Sequence, residues 1–433
     1  MVETQIHRTC DVAVVGGGPA GLAAATALKR RGVEHVVLLE READAGGIPR
    51  HCGHPPFGMR EFHRVMTGPA YARALVEAAR RAGVEIRTGT SVVTLGEGGA
   101  LAVVSAAEGP YGLSARRVVL ATGARETSRA ARLVSGDRPL GILNTGALQS
   151  MVHLKHRIPF RRPVIVGTEL VAFSALLTCR KAGIRPVAMI EAGERPTARW
   201  PSAALAGLLG VKLHCRTSLV AIDGASRVER IRVRGGDSRS RAIKCDGVLL
   251  TGGFLPEATL VRMGHLAFDP LSGGPIVDQF GRCSDSAYFA AGNLLRPVET
   301  AGWSWREGAD TAGWVAADLA GRLPRGTDAI SINLDAPVKF AVPQRFSLSL
   351  DDRGMRHVQL RVDRPVRGTL TISDGQRILW SRRVDTRPER RLLIPVSALG
   401  RPAAGKTITI ALTNEQGIGR AAGAVDDSNP QLN

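Results

Sequence analysis

A glycine-rich loop near the start of the chain has the residue types and the spacing that bind phosphate groups. Gly16, Gly18 and Gly21 match the pattern G-x-G-x-x-G, with Pro19 and Ala20 between the last two glycines. In such a loop the first glycine makes a tight turn and the second lets a pyrophosphate approach the backbone. The third lets the following helix pack closely on the preceding strand. The loop therefore predicts a binding site for the pyrophosphate of a dinucleotide.

The elements that position this loop are predicted to be a strand, a helix and a second strand. Asp11–Val15 is an apolar run typical of a buried parallel strand, and a helical stretch runs from Leu22 to about Arg31. A second apolar run, Val36–Leu39, leads to Glu40, whose carboxylate can accept hydrogen bonds from ribose hydroxyls. The N-terminus of the helix adds N–H donors and the positive end of its dipole for the phosphates.

Later segments of the sequence are predicted to contribute to the same dinucleotide-binding site. Residues 85–93 are predicted to be a strand that brings backbone N–H and C=O groups up to an adenine ring. A buried strand over 117–124 ends in a turn of small residues, which permits close approach of a dinucleotide. Another strand, over 286–293, ends in Ala-Gly-Asn, and a helix follows over about 305–320.

A second strand-helix-strand unit begins at residue 163, but its glycine pattern is broken. The three glycine positions hold Gly167, Glu169 and Ala172. A carboxylate at Glu169 opposes a pyrophosphate by its charge and by its bulk. Two interpretations compete: a weak site for a nicotinamide dinucleotide, or a relic of the fold that only supports the domain. The glutamate favours the second interpretation.

The sequence changes character after residue 336. Apolar residues alternate with polar residues at period two, which is typical of half-buried antiparallel strands. Residues 336–420 are therefore predicted to form a small β-sandwich-like domain, and the tail 421–433 is expected to be disordered. This domain is either a docking surface for a partner or a cover that stabilises the first domain.

Together these segments predict an α/β protein with two Rossmann-like dinucleotide-binding domains and a small C-terminal all-β domain. The first dinucleotide domain is discontinuous, over residues 8–148 and 278–325. The second, degenerate domain spans residues 149–277. A chain of 433 residues is long enough for several separate cores.

The composition excludes several classes of protein. The six cysteines are scattered singly without a C-x-x-C pair, so neither a redox dithiol nor a zinc site nor an iron–sulfur cluster is predicted. No apolar run reaches the roughly 18 residues of a membrane span, and the N-terminus leaves no room for a signal peptide. A cytoplasmic location without a metal is therefore predicted.

The chain is strongly basic, with 58 Lys and Arg against 39 Asp and Glu and a net charge of +19. This excess is interpreted either as an arginine-rich solvated surface or as a surface for an acidic partner. An anionic membrane is one such partner, and it would place the protein at the inner face of the membrane. Aromatic residues make up only 4% of the chain and no nucleic-acid-binding module is visible, so no specific nucleic-acid partner is predicted.

Motifs over about residues 8–325 resemble those of the two-dinucleotide-domain flavoproteins of the glutathione-reductase-like superfamily. Within it the chain looks closest to flavin subunits related to the anaerobic glycerol-3-phosphate dehydrogenase A subunit. The flavin subunits of opine, hydroxyproline and cyanide-forming amine dehydrogenases are more distant. The most specific shared pieces are Gly46-Gly47 with the loop 52–58, Met66–Tyr71, Ala121–Glu126, Gly273–Pro275 and Ala291–Asn293.

This resemblance implies FAD as the cofactor, whereas the broken second motif makes NAD(P) doubtful. The implied FAD contacts are Gly16, Gly18, Pro19, Ala20, Gly21, Glu40, Arg41, Gly47, Val93, Ala121, Thr122, Gly123, Gly292 and Asn293. Two departures from the family pattern stand out. Asn293 replaces the more usual Asp that holds the ribityl chain, and a β domain stands where many such subunits carry a cysteine cluster.

Catalytic residues are not identified by any strong pattern. The weak candidates are Cys52 and His54, on the loop that the family places near the isoalloxazine. With His51 on its other side, Cys52 is either a thiolate with a lowered pKa or a packing residue. The lack of a partner cysteine excludes disulfide chemistry. Trp303 and Trp305 either cover the flavin ring or pack beneath the last helix.

The function that the resemblance implies is an FAD-dependent oxidoreductase, the flavin subunit of a dehydrogenase. It would take a hydride from a small amine, amino-acid or polyol-type substrate and pass electrons to a partner subunit or a quinone. Two alternatives stay open: an NAD(P)H-dependent flavin reductase, and an assembly subunit that carries FAD without catalysing a reaction. A protein partner subunit or a second copy of the chain is expected in each case.

Overall fold

The computed structural model describes most of the chain: residues 7–198, 200, 202–324, 329–347, 354–375, 377–399 and 407–414. The predicted disordered tail, 421–433, lies outside the described residues. None of the described helices is long and apolar enough to span a membrane.

The first part of the chain forms a largely parallel sheet with an antiparallel extension. Its elements are β1 (His7–Val15), α1 (Pro19–Arg30), β2 (Val36–Leu39), α2 (Gly68–Arg81), β3 (Glu85–Arg87), β4 (Thr90–Leu95), β5 (Ala100–Ser105) and β6 (Gly109–Leu120). The sheet has the order β3-β2-β1-β6-β5-β4, with β1 parallel to both β2 and β6. Val12, Ala13 and Val14 are fully buried, as expected for a central strand covered on both faces.

The second part of the chain builds a separate parallel sheet. Its elements are β7 (Ala124–Glu126), β8 (Ser135–Gly136), β9 (Ile142–Asn144), α3 (Thr145–Gln149), β10 (Pro163–Val166), α4 (Leu170–Lys181), β11 (Ala188–Ile190), α5 (Leu205–Leu208), β12 (Leu213–His214), β13 (Ser218–Asp223), β14 (Arg230–Arg234), β15 (Ser240–Lys244), β16 (Gly247–Leu250), β17 (Phe254–Pro256) and α6 (Thr259–Met263). The five-stranded sheet has the order β12-β11-β10-β16-β9. Apolar cores cover both of its faces, one around Ile165 and Leu249 and the other around Val164 and Val248.

The chain then returns to the first sheet, so that this domain combines two separated parts of the sequence. β18 (Tyr288–Ala290) pairs in parallel with β6, and α7 (Ala301–Leu319) packs along α1. The two helices approach closely at Gly308, where a Cβ would overlap the carbonyl oxygen of Ala20.

The C-terminal part consists of two sheets that share one apolar core. Its strands are β19 (Ala329–Leu334), β20 (Val338–Val342), β21 (Arg345–Ser347), β22 (His357–Val362), β23 (Val366–Ser373), β24 (Ile378–Thr386), β25 (Leu392–Pro395) and β26 (Thr407–Asn414). The sheets have the orders β21-β19-β26-β23-β24 and β20-β22-β25. Ile330 and Ile408 from one sheet pack with Val358 and Leu360 from the other. This arrangement is sandwich-like, and its first strand begins at residue 329, before the predicted start at 336.

The C-terminal sheets pack directly on the first domain. Phe340 and Val342 on β20 belong to the same buried core as Val118 and Tyr288 of the first sheet. Gln344 adds hydrogen bonds to Val277, because its backbone N–H donates to the Val277 carbonyl at 3.2 Å and its side-chain oxygen accepts from the Val277 N–H at 3.0 Å. These contacts favour a cover for the first domain over a freely projecting docking module.

Candidate functional site

The first glycine loop borders a space that no described residue fills. A Cβ on Gly16 would lie 2.5 Å from the Ala121 carbonyl oxygen, and one on Gly21 would overlap the Gly16 carbonyl oxygen. These two glycines are therefore required by the protein's own packing. A Cβ on Gly18, by contrast, would meet no heavy atom of the described residues within 4 Å. The side of the loop at Gly18 is free to receive a ligand.

The N-terminus of α1 begins at this open space. Gly18 is the N-cap residue, Pro19 follows it in the first turn, and no described side chain caps the helix. The first N–H groups of a helix have no acceptor within the helix, and they carry the positive end of its dipole. An oxygen-rich anion such as a pyrophosphate fits both features. Pro19 and Ala20 form the first turn of this helix, beside the open space.

Glu40 is buried, and its carboxylate fastens the loop. One oxygen accepts from the backbone N–H of Gly17 at 2.8 Å and the other from the N–H of Glu42 at 2.8 Å. Each carboxylate oxygen has a further lone pair, so the group keeps the capacity to accept from ribose hydroxyls. Arg41 beside it is exposed, with its guanidinium 4.0 Å from the carboxylate of Glu42.

The remaining predicted contacts line this cleft to different extents. Gly47 lies against the loop, because its Cβ would come within 2.8 Å of the Cα of Gly18. Ala121 donates its N–H to the Val15 carbonyl at 2.8 Å, which places the turn at 121–123 beside the first glycine. Thr122 uses its hydroxyl within the protein, donating to the Glu257 carbonyl at 2.7 Å.

Gly123 and Val93, two further predicted FAD contacts, differ in their surroundings. Gly123 has a positive φ of 78°, and no heavy atom of the described residues lies within 4 Å of its Cβ position, so this part of the turn is open. Val93 is 46% exposed on β4, at a break in the pairing register with β5. Thr90, earlier on the same strand, donates its N–H to the carbonyl of Glu40 at 2.9 Å and so ties β4 to the cleft.

The second glycine turn, at Gly292, packs against the start of α1. Gly292 has a φ of 74°, and its Cβ would lie 2.8 Å from that of Ala20. Its N–H donates to a carboxylate oxygen of Glu307 at 2.8 Å. Asn293 pairs with the backbone of Glu299, accepting from its N–H at 2.7 Å and donating to its carbonyl at 3.1 Å. The Asn293 amide therefore makes two hydrogen bonds within the protein. One hydrogen on its nitrogen and one lone pair on its oxygen remain for a ribityl chain.

In the second dinucleotide motif, the side chain of Glu169 occupies the space beside the glycine loop. Glu169 is the N-cap residue of α4, and its carboxylate accepts from the Thr251 hydroxyl at 3.1 Å. A Cβ on Gly252 would overlap this carboxylate. Burial raises the pKa of Glu169, and the nearby Glu191 carboxylate raises it further, whereas the hydrogen bonds oppose the shift. An internal carboxyl group thus stands at the end of the helix where a pyrophosphate would bind.

A chain segment also lies on this second loop. The N–H of Thr197 donates to the Thr168 hydroxyl at 2.9 Å, and the N–H of Ala198 donates to the Thr168 carbonyl at 2.8 Å. Ala172, at the third glycine position, is fully buried. These contacts support the interpretation of this unit as a fold relic.

The surroundings of Cys52 favour a packing residue over a reactive thiolate. Burial raises the pKa of Cys52 to about 12, and the Glu126 carboxylate adds to the shift. The thiol donates to the Gln149 side-chain oxygen at 3.4 Å and to the Ile48 carbonyl at 3.5 Å. His54 instead hydrogen-bonds to the Ser174 hydroxyl and to the Pro55 carbonyl. A neutral packing thiol fits these contacts, because a thiolate needs a cationic or exposed setting.

The two tryptophans at the start of α7 have different environments. Trp305 packs into the core that α1, α2 and α7 share. Trp303 is 38% exposed and lies between two guanidinium groups, with Arg60 at 4.1 Å and Arg391 at 4.2 Å from its ring centre. Since Arg391 directly precedes β25, Trp303 links the C-terminal part to the first domain.

Several residues near the cleft carry no sequence signal and were not predicted. Glu307 bridges Gly292 and Arg296, since its second oxygen lies 2.6 Å from the Arg296 guanidinium. The side chain of Glu299 is only 7% exposed and pairs with two arginines of the C-terminal part, Arg361 at 3.1 Å and Arg391 at 3.4 Å.

An open glycine cleft in one Rossmann-like domain, followed by a second domain of the same kind, defines the class of two-dinucleotide-domain flavin-dependent oxidoreductases. Residues 10–309 match the family described as pyridine nucleotide-disulphide oxidoreductase, and the chain belongs to this family. It is an oxidoreductase and a flavoprotein, and its cofactor is FAD. The open space at Gly18 and the acceptor-ready Glu40 fit that cofactor.

Similar proteins come from several bacterial enzyme systems. The ferredoxin–NAD(+) reductase of the benzene 1,2-dioxygenase system of Pseudomonas putida is 28% identical over 306 residues, which cover 67% of this chain and 68% of that protein. The opine oxidase A subunit of Agrobacterium tumefaciens (strain Ach5) is 25% identical over 390 residues, covering 83% of this chain and 71% of that one. The sarcosine oxidase alpha subunit of Corynebacterium sp. (strain P-1) is 30% identical over 294 residues, covering 61% of this chain but only 28% of the longer protein.

Solved structures confirm the predicted fold class. The thioredoxin reductase of T. acidophilum matches with a TM-score of 0.60 at 20% identity, over 72% of this chain and 99% of that one. The L-proline dehydrogenase from P. horikoshii matches with a TM-score of 0.55 at 20% identity, over 72% of this chain and 56% of that one. At this identity the likeness concerns the fold alone.

Proposed function

We propose that this chain is the flavin subunit of a dehydrogenase. It takes a hydride from a small amine, amino-acid or polyol-type substrate and passes the electrons to a partner subunit or a quinone rather than to NAD(P). The observation that carries this proposal is the difference between the two glycine motifs. The first leaves open space at Gly18, whereas the second holds the carboxyl group of Glu169 and the backbone of Thr197 and Ala198 against its loop.

FAD, when bound, supplies the atom that accepts the hydride, N5 of its isoalloxazine. The protein contributes binding, orientation and electrostatics. The turn at Gly18 and the first turn of α1 would receive the pyrophosphate, and Glu40 would accept from the ribose. The N-terminus of α7, at Ala301, would direct the positive end of its dipole at the pyrimidine edge of the flavin and so favour the reduced anion.

The names of the similar proteins support a protein partner. The opine oxidase and sarcosine oxidase relatives are named as subunits, and the Pseudomonas putida reductase is named as part of a dioxygenase system. The two oxidase names favour an amine or amino-acid substrate over a polyol. The finer likeness to the glycerol-3-phosphate dehydrogenase A subunit rests on the sequence motifs alone.

One specific observation favours the NAD(P)H-dependent reductase as a second candidate. The Pseudomonas putida relative, at 28% identity over 67% of this chain, is named as a ferredoxin–NAD(+) reductase. If this chain worked in the same way, a nicotinamide dinucleotide would have to displace the segment at Thr197 and Ala198 and tolerate Glu169.

Anaerobic reduction of the bound flavin separates these candidates. We expect NADH and NADPH at sub-millimolar concentration to bleach the flavin absorbance far more slowly than the roughly 1 s⁻¹ at the lower end of typical enzyme turnover. A panel of secondary amines, amino acids and polyols should contain a substrate that bleaches it within that range. Dithionite serves as the control that the bound flavin is reducible.

Rapid bleaching by NADH would favour the reductase and would show that the second motif still functions. Bleaching by no small molecule until a second subunit is added would favour the assembly role. The stopped-flow trace of flavin absorbance is the measurement in each case.

A further inference from the structure

Arg296 is a buried arginine, and most of its N–H donors have no hydrogen-bond partner among the described residues. The residue is 8% exposed, and one terminal nitrogen lies 2.6 Å from the Glu307 carboxylate. The Nε and the other terminal nitrogen, Nη1, are buried and have no hydrogen-bond partner among the described residues. Buried donors on a charged group almost always have partners, because leaving them unpaired is costly. These two nitrogens carry three N–H donors, which call for acceptors from outside the described residues.

The position of the guanidinium places that acceptor at the flavin cleft. One oxygen of the Glu307 carboxylate accepts from the Gly292 N–H and the other from the Arg296 guanidinium. A single carboxylate group therefore separates this guanidinium from the second glycine turn. Gly292 in turn packs against Ala20 at the start of α1, where the pyrophosphate path begins.

A second orphan donor borders the same turn. The hydroxyl of Ser304, a buried residue on the first turns of α7, has no hydrogen-bond partner among the described residues. Its oxygen lies 3.9 Å from the position of a Cβ on Gly292. Two different side chains thus offer unused donors beside one turn.

The local charges leave this spot positive. The Glu299 carboxylate forms ion pairs with Arg361 and Arg391, at 3.1 and 3.4 Å. The Glu307 carboxylate forms an ion pair with Arg296. With Arg60 and Glu61, which lie beside Gly302 in the first turn of α7, four arginines face three carboxylates at the N-terminus of this long helix. An oxygen acceptor with negative charge fits this balance better than a cation or an apolar group.

We propose that Arg296, assisted by Ser304, is a cofactor-binding residue that donates to oxygen acceptors of FAD. This assignment rests on the proposed FAD cleft and adds two residues that the family motifs do not include. The acceptors are either the pyrophosphate oxygens or the carbonyl of the flavin pyrimidine, which carries the charge of the reduced ring. Arg296 acts by binding and by charge and takes no part in moving the hydride.

FAD binding to the apoprotein tests the assignment. Arg296→Gln removes both the charge and the fork of donors, and we expect the Kd for FAD to rise by about 10- to 100-fold, as for loss of hydrogen bonds to a charged group. Arg296→Lys keeps the charge without the fork of donors and should lie between wild type and Arg296→Gln. Ser304→Ala should weaken binding in the same direction, by a smaller factor.

The matched control is Arg306→Gln, on the helix α7 that carries Ser304 and Glu307. The Arg306 side chain is 61% exposed and pairs with Asp310, so the Kd should stay within about twofold of wild type. Thermal unfolding of each apoprotein shows whether a variant is folded. If Arg296→Gln does not fold, Arg296→Lys and Ser304→Ala carry the test.

Two further measurements identify which part of FAD is bound. A parallel fall in the affinity for ADP assigns Arg296 to the pyrophosphate. An unchanged ADP affinity with a more negative midpoint potential of the bound flavin assigns it to the ring. Folded variants with wild-type FAD affinity and potential would overturn the proposal. That outcome is separate from a failure of the proposed dehydrogenase function, which depends on the substrate panel and not on these affinities.

Discussion

Replacing Gly18 with leucine is expected to give a folded protein without colour. The backbone of Gly18 has φ −81° and ψ −175°, which a leucine adopts without strain, and its Cβ meets no described atom within 4 Å. The new side chain therefore has room in the apoprotein, but it occupies the path of the pyrophosphate. We expect FAD binding to weaken by about 3 kcal/mol or more, which is about 100-fold in Kd.

Flavin absorbance per chain and thermal unfolding together measure this effect. Gly207→Leu is the matched control, because Gly207 also has open space at its Cβ position but lies on α5 of the second domain. Gly21→Ala provides a contrast, since its Cβ would overlap the Gly16 carbonyl and should destabilise the fold itself. A Gly18→Leu protein with wild-type flavin content would show that the cofactor does not pass this loop.

Removing the C-terminal sheets is expected to destabilise the flavin domain and release FAD. Ending the chain after Pro324 exposes the core that Phe340 and Val342 now cover. Burial of one such side chain contributes about 1.5–3 kcal/mol, so the loss of both is about 4 kcal/mol before any polar contact is counted. The midpoint of thermal unfolding and the flavin retained through gel filtration measure the result.

This truncation also decides between the two roles considered for the C-terminal domain. A truncated protein that keeps FAD and its stability but leaves its native complex, or loses self-association, would support docking to a partner. That domain is basic, and a dependence of association on ionic strength would accompany such a role. If the truncated protein instead loses FAD but still associates with its partner or with itself, the C-terminal domain acts as a cover that stabilises the first domain.

A point substitution tests the same link without removing a domain. Glu299→Gln leaves the buried guanidinium of Arg361 without a carboxylate, and removal of one partner of a buried pair costs about 3–5 kcal/mol. Because Asn293 is paired with the backbone of Glu299, FAD affinity should fall as well. Asp237→Asn breaks an exposed pair with Arg239 and should change the unfolding free energy by less than about 1 kcal/mol.

Local sequence patterns predicted the elements around the first motif. Val36–Leu39 is the observed β2, and the apolar run ending at Val15 is the core of β1. The helix α1 begins at Pro19 rather than at Leu22, because proline is well suited to the first helical turn. The last helix begins at Ala301 rather than near Trp305, since the glycine and tryptophan of its first turn resemble a loop in sequence.

Contacts between distant segments could not be predicted in this way. The glutamate at the second motif is visible in the sequence, but the segment at Thr197 and Ala198 that lies on its loop has no periodic pattern. The pairing of Glu299 with Arg361 joins residues of two domains, and no spacing rule connects them. The contacts of Cys52 were not predictable either, because its sulfur lies against Ile48 and Gln149 and not against the histidines that flank it in sequence.

The identity and amount of flavin in the purified wild-type protein test the central claim most directly. The protein should be yellow and, after denaturation, release FAD rather than FMN, at about one FAD per folded chain, because the cleft at Gly18 and Glu40 is built for an adenosine half as well as a flavin. Chromatography of the released cofactor against FAD and FMN standards gives the answer. A colourless wild-type protein that takes up no added FAD, or one that releases only FMN, would contradict the account.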